Sequence, residues 1–235
     1  MSAVVPEQSS QLLAESMRHL FAHRHSCRAF KAEAVPRDVI EHVVSMAART
    51  ASWCNAQPWQ VIVTAGSGTD RFRGALLEHA DRHPAVAPDL AFPREYAGVY
   101  RERKRQAAFQ LYQSVGVFDK GREAWAAQAR ENFRLFGAPH VAIVTTEESL
   151  GVYGAIDCGA FIGGFMLAAQ ALGVASIAQA SIAAHASLVR THFSLPSSRL
   201  VVCGISFGYE DETHPANAFR TDRAPLSTLI TWDEQ

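Results

Sequence analysis

The run Arg24-His25-Ser26-Cys27-Arg28-Ala29-Phe30 sets two guanidinium forks four residues apart, with an imidazole and a hydroxyl between them. An arginine fork is planar, permanently charged and able to meet two oxygens at once, so this spacing suits a phosphate or another oxyanion. Arg-x-Ser-x-Arg at the end of a helix is also what a solvated helix face looks like, and the run alone leaves both readings open. A second polar stretch, Ala51-Ser52-Trp53-Cys54-Asn55-Ala56-Gln57-Pro58-Trp59, lies between a helix pattern and a strand pattern. Its polar groups therefore sit on a loop held by rigid elements on either side, a common setting for binding residues.

Other chemistries fit less well. His19, His23 and His25 do not share one helix face, and no carboxylate or thiol completes a metal set. Cys27, between basic neighbours, is the thiol best placed for activation, but nothing marks an oxyanion hole. No Gly-x-Ser-x-Gly elbow and no phosphate loop of the Gly-Lys-Ser type occurs. Gly66-Ser67-Gly68 follows a strand pattern, yet the third glycine of a dinucleotide fingerprint is replaced by Arg71, so a plain turn is the better reading. What remains is a set of residues suited to holding a cofactor, with no general acid, base or nucleophile assigned.

The elements that position these residues follow from periodicity. A first helix, N-capped near Ser9 or Ser10 and carrying Leu13, Met17, Leu20 and Phe21 on one face, delivers Arg24; residues 1–10 are expected to be largely disordered. Pro36 opens a second helix with Ile40, Val43, Val44 and Ala47 at helical spacing, which ends at the Ser52–Gln57 loop. Short strands are expected at Gln60–Thr64 and His140–Thr145, with a helix capped by Thr69 after the first. Arg94–Gln113 reads as a helix whose Arg101, Arg103, Lys104 and Arg105 form a solvated face. Gly151–Gly173 is apolar nearly throughout; Asp157, Gln170 and its glycines speak against a membrane span and for a central helix, with Gly173 in the C′ position. A strand from Val174 to Ala178, a helix over Ile182–Phe193 and a long strand over Arg199–Phe207 follow. Apolar residues on both faces of that last strand imply a sheet covered on both sides. Leu226–Trp232 reads as a further strand with no evident pairing place in its own chain.

Composition sets outer bounds. The 235 residues are 48% hydrophobic, enough for one substantial domain, and 22 basic against 23 acidic residues leave no charge footprint for nucleic acid or an anionic membrane. Cys27, Cys54, Cys158 and Cys203 are widely spaced and the N-terminus has no basic-then-apolar leader, which fits a reducing cytoplasm.

The two polar stretches, in this order and spacing, resemble the nitroreductase family of FMN-dependent oxidoreductases. Asn132-Phe133-Arg134-Leu135-Phe136-Gly137-Ala138-Pro139-His140, the run from Leu172-Gly173-Val174 through Ser181, and the ending Arg220-Thr221-Asp222-Arg223-Ala224-Pro225-Leu226 extend the resemblance from about Leu20 to Trp232. It is nearest to members that reduce nitrobenzoates and related nitroaromatics. The resemblance implies an α+β, three-layer fold: a central, mostly antiparallel sheet flanked by helices, in a single domain over 1–235. Residues 91–137 would cover the substrate pocket, and 211–235 would form a tail whose C-terminal strand is exchanged in a homodimer. It implies FMN held by Arg24, His25 (mainly through its backbone), Ser26, Arg28 and Arg223. Ala51, Ser52, Asn55 and Gln57 would reach the flavin bound chiefly by the other subunit, and Gln179, Ala180 and Ser181 would pass beside the ring. NADPH or NADH would be the donor and a nitroaromatic or quinone the acceptor. Trp53, where the family commonly has a small residue, either stacks on the substrate or packs against the partner. The same fold also hosts reductive dehalogenases, flavin-fragmenting enzymes and low-turnover flavin-binding proteins.

Overall fold

The computed structural model describes residues 7–234. Four strands, β1 Gln60–Val63, β2 His140–Glu147, β3 Ala175–Gln179 and β4 Arg199–Gly208, pair antiparallel throughout in the order β1-β2-β4-β3. The helices are α1 Glu7–His23, α2 Arg37–Ala47, α3 Ser67–Arg82, α4 Gly98–Ser114, α5 Arg122–Arg130, α6 Gly151–Ala171, α7 Ala180–Ala183 and α8 Ala186–His192. Pro36 precedes α2 with φ −57°, which suits a helix entry where no amide hydrogen is needed. Gly173, at φ +72°, turns the chain out of α6 in the left-handed conformation that glycine adopts freely.

Side chains alternate across a strand, and the two faces of β2 show the result. Ala142 and Val144 join Ile40 and Val43 of α2 and Phe161 and Phe165 of α6 in one apolar cluster. Val141 and Ile143 join Phe72 and Leu76 of α3 and Val189 of α8 in the other. The fold is thus α+β in three layers, helices on both faces of the sheet, and each fully buried side chain of this size contributes roughly 1.5–3 kcal/mol. α6 and the turn before it, Glu148–Ala171, are long and apolar enough to cross a bilayer. Here Phe161, Ile162 and Phe165 of that helix lie in the core instead. A methyl group at Gly164 would stand 2.7 Å from Thr50 Oγ1 and 3.6 Å from Ala47 Cα, so glycine is what allows α6 to close on the C-terminal end of α2. That contact fixes where the Ser52–Gln57 loop begins.

Several expectations are corrected. α1 already includes Glu7 to Ser10, so Ser9 and Ser10 lie inside it rather than at its cap and the disorder expected over 1–10 does not hold for 7–10; residues 1–6 lie outside the described residues. The cap of α3 is Gly66; Thr69 is buried and bonds instead to Thr64 Oγ1 (2.8 Å) and Pro139 O (2.9 Å). α4 begins at Gly98, four residues after the expected Arg94. The helix expected over Ile182–Phe193 is two, α7 and α8, parted at His185, whose φ −114° and ψ 43° are not helical. β4 is bulged: Val144 pairs with Cys203 and Thr145 with Val201, leaving Val202 extra. Val201 therefore faces the α3/α8 cluster while Cys203, Ile205 and Phe207 face α2 and α6. Finally, Leu226–Trp232 is not a strand in the single chain; Leu226–Thr228 forms a tight turn whose Leu226 O accepts the Leu229 and Ile230 amides, and the segment joins no strand among the described residues. A strand needs a neighbour to satisfy its backbone, and this chain offers the segment none.

Candidate functional site

The Arg24–Phe30 segment leaves α1 and lies against the end of the sheet. Ser26 bridges Ser176 of β3, Cys27 N–H donates to Ser176 O at 3.2 Å, and Phe30 bridges Glu210 just beyond β4. Asn217 locks it from the other side. Its Oδ1 accepts the Arg28 amide at 2.7 Å, and its Nδ2 donates to Ala29 O (2.9 Å) and Asp211 O (3.0 Å). Cys27 points inward and is fully buried; desolvation pushes its thiol up to about 12, so it packs and does not serve as a nucleophile.

This anchoring shapes a cleft of about 220 Å³ lined by Arg24, His25, Ser26 and Arg28 on one wall and Phe219, Arg220, Thr221 and Arg223 on the other. Four guanidiniums line it with no carboxylate among the lining residues, and none of the four is ion-paired among the described residues. Arg24 is held below the usual guanidinium range by partial burial and then by the positive charge of Arg223; burial does the same to Arg28. Arg28 Nη1 donates to Ser26 O at 3.2 Å, and its guanidinium carbon stands 5.9 Å from the Phe219 ring centre. Arg223 Nη1 donates to Thr221 O (3.0 Å) and Thr221 Oγ1 (2.9 Å). The ring of His25 is engaged elsewhere, Nε2 at 3.0 Å from Glu210 Oε1 and Nδ1 at 3.1 Å from His23 O, which leaves its backbone as the part available to a ligand. Concentrated cations without counter-charge are what a phosphate-binding cleft requires.

Ala51, Ser52, Asn55 and Gln57 are not brought to this cleft in their own chain. Their loop is largely exposed and takes a left-handed backbone at Cys54, Asn55 and Gln57 (φ 50°, 56° and 46°). Ser52 Oγ accepts the Gln57 amide at 3.0 Å, and Gln57 Nε2 donates to Asn55 O at 3.2 Å. Trp53 meets Tyr153 of α6 edge-on, ring centres 4.3 Å apart, and remains 58% exposed. At the end of β3, the Gln179 side chain is buried: its Nε2 donates to Asn132 O at 2.9 Å and its Oε1 accepts from Ser206 Oγ. Ser181 Oγ donates to Asn132 Oδ1 at 3.1 Å, so one asparagine holds the turn that carries Ala180 and Ser181.

Glu210, Asn217 and Phe219 carry no signal in the sequence, and Asn132, Arg220 and Thr221 stand there in the motifs of the resemblance without a site role. Arg220 and Thr221 stand in the same short ending as Arg223 and could have been chosen with it. The partners of Asn217 lie up to 189 residues away and leave no local signal. α4 leans on this ending, Gln106 Nε2 donating to Asp222 Oδ2 at 3.2 Å and Gln110 Nε2 to Arg220 O at 3.5 Å. Phe109, Tyr112, Phe118 and Trp125 of the α4–α5 excursion line a separate hollow of about 640 Å³.

The chain as a whole resembles known proteins. A model of the nitroreductase family matches residues 21–209. Nitroreductase NfnB of Mycolicibacterium smegmatis is 34% identical over 92% of each chain. A 4-nitrobenzoate reductase of Nocardioides sp. is 31% identical over 100% of this chain and 99% of its own. The crystal structure of the FMN-dependent nitroreductase NfnB from Mycobacterium smegmatis in complex with NADPH superposes with a TM-score of 0.89 at 32% identity, over 94% of this chain and 100% of that one. Fold and extent of similarity agree over nearly the whole chain, and it belongs to the nitroreductase family.

Proposed function

We propose that the protein is an FMN-dependent oxidoreductase that takes electrons from NADPH or NADH and reduces nitroaromatic compounds or quinones. One observation carries this reading: four guanidiniums, none of them ion-paired among the described residues, line a small cleft beside Ser26. FMN ends in a single phosphate dianion, and the cleft has the donors and charge to hold it. The relatives described as FMN- and NADPH-dependent support the same cofactor and donor, and those described as 4-nitrobenzoate reductases support the acceptor. When bound, FMN supplies the two-electron exchange between nicotinamide and nitro group. Arg24, Ser26, Arg28 and Arg223 hold the phosphate, the ribityl chain or the N1/O2 edge. A guanidinium at that edge would favour negative charge there. Ala180 and Ser181 offer backbone groups beside the ring, and residues 91–137 cover the substrate.

The active form in this reading is a homodimer in the cytoplasm. Val152, Tyr153 and Ile156 of α6 expose an apolar stripe beside Trp53, and Leu226, Leu229 and Trp232 are exposed in the tail. A second copy covers these surfaces and takes the tail as an added strand, and Ala51, Ser52, Asn55 and Gln57 then complete the flavin site of the partner. Trp53 packs at that junction.

Anaerobic titration tests the proposal. The purified protein is expected to be yellow, to release FMN on heating, to bleach with NADPH or NADH, and to regain colour with 4-nitrobenzoate. Because each substrate is expected to use the same flavin face in turn, double-reciprocal plots at several fixed acceptor concentrations should be parallel. A colourless protein, or a flavin that nicotinamide does not bleach, contradicts the proposal.

A further inference from the structure

α6 is the most apolar helix of the chain, yet Asp157 sits in its buried half, only 8% exposed, with no cation ion-paired to it among the described residues. A carboxylate in such a place is costly unless it is well bonded. Both of its oxygens face one donor, the backbone amide of Trp53, at 3.2 and 3.1 Å. One helical turn earlier on the same face, Tyr153 meets the Trp53 ring edge-on at 4.3 Å. Trp53 is the first residue of the short turn Trp53–Asn55. The loop behind it holds three non-glycine residues in the left-handed region, a conformation that persists only where the surroundings enforce it. Most other hydrogen bonds of the loop are internal: Asn55 N–H to Ser52 O, Ala56 N–H to Trp53 O, Gln57 N–H to Ser52 Oγ. Asp157 is therefore the polar anchor that joins the entrance of the loop to the core.

We propose that Asp157 is a positioning residue: by fixing the Trp53 amide it sets the strained Ser52–Gln57 loop in the shape that presents Ser52, Asn55 and Gln57 to the flavin. The inference rests on the reading above that this loop contacts the flavin. It also accounts for an acid in the central helix that packing disfavours, and it gives Trp53 a role through its backbone that is separate from its indole.

The test uses full-length protein and reads two quantities, hydrogen exchange of the Trp53, Asn55, Ala56 and Gln57 amides relative to those of the α6 core, and the dissociation constant for FMN. Asp157→Ala should speed exchange in the loop but not in the α6 core and weaken FMN by about tenfold, the scale of one lost hydrogen bond to a charged group. Asp157→Asn, which keeps an acceptor oxygen, should restore most of both. Trp53→Pro removes the amide hydrogen and leaves Asp157 intact; Ser52 is already extended (φ −140°, ψ 157°), as a residue before proline must be. This variant should reproduce the Asp157→Ala defect, and the double variant should be no worse than either. Trp53→Ala keeps the amide and should not show the defect in loop exchange. Should Asp157→Ala fail to fold, the comparison of Trp53→Pro with Trp53→Ala still decides. Loop exchange unchanged in Asp157→Ala, or Trp53→Pro indistinguishable from Trp53→Ala, overturns the inference. A loop that loosens while FMN affinity is unchanged both there and in Gln57→Ala shows instead that the loop does not contact the flavin, and the inference falls with that reading.

Discussion

Arg24→Ala separates binding from folding because its two expected effects have opposite signs. In the flavin-free protein, Arg24 keeps a charge at a partly buried position against Arg223, and its depressed pKa means that the fold disfavours that charge. Removing it relieves the repulsion, so the flavin-free variant should unfold at the same temperature as the parent or a higher one. In the proposed FMN complex, the same side chain would supply a charge-assisted hydrogen bond, typically about 1.5–3 kcal/mol. At 1.4 kcal/mol per decade, its loss should raise the FMN dissociation constant by roughly 10- to 150-fold. Arg24→Lys, which keeps the charge and loses the fork, should fall between. Quenching of flavin fluorescence on titration into apoprotein gives the affinity, and thermal unfolding of the same samples gives the stability. An FMN affinity within twofold of the parent, or a flavin-free variant that melts several degrees lower, would refute the reasoning.

Further outcomes follow from the same structure. Cys27, Cys158 and Cys203 are buried, and desolvation pushes their thiols up to about 12, 11 and 11, so alkylation of the native protein at pH 8 should spare all three; labelling of any of them before unfolding, read by mass spectrometry, contradicts this. His185 and His79 are held below the ordinary value of 6.5, mainly by burial and then by neighbouring histidines. The unfolded chain therefore binds more protons as pH falls below about 6.5, and stability should drop there. Urea unfolding at pH 7 and pH 5.5 should show a smaller drop for His185→Gln, and an equal drop removes His185 as a cause. Deleting the tail after Asp222 removes Arg223 from the cleft and the exposed Leu226, Leu229 and Trp232, so both dimer and flavin should be lost; a flavin-loaded monomer by light scattering would contradict the proposed exchange.

The parts of the fold legible in the sequence are those set by short-range pattern. Ile40, Val43 and Ala47 after Pro36 define α2, and the apolar run ending at Gly173 defines α6, because each carries its own periodicity and its own stop. The bulge at Val202 was not legible, since an extra residue in β4 makes sense only against the register of β2. The break at His185 is hidden because Ile182 to Phe193 keeps helix-compatible residues throughout, and the close seat of α7 on β4, where a Cβ at Gly204 would stand 2.4 Å from Ile182 Cδ1, is equally silent in the sequence. In the site, Arg24, Ser26 and Arg28 stand out because charge and spacing are visible in one dimension, whereas Arg223, almost 200 residues later, comes only with the family resemblance. Asn217, Asn132 and Glu210 act by holding distant backbone or side chains, and that role exists only in three dimensions. Asp157 was visible as an interruption of an apolar helix, but the amide it serves lies 104 residues earlier. The C-terminal Leu-Ser-Thr-Leu-Ile-Thr-Trp pattern favours a strand, but a pattern states only a preference, and a strand also needs a neighbour to pair with.

The central claim is that the cleft between Arg24 and Arg223 reads the terminal phosphate of FMN. Titrating apoprotein with FMN and with riboflavin tests it most directly, since the two differ only in that phosphate. If at least two charge-assisted hydrogen bonds are lost at about 1.5–3 kcal/mol each, riboflavin should bind at least about 100-fold more weakly than FMN. The gap should shrink in Arg24→Ala and in Arg223→Ala. Equal affinities for FMN and riboflavin would mean that the four guanidiniums serve something other than the flavin phosphate.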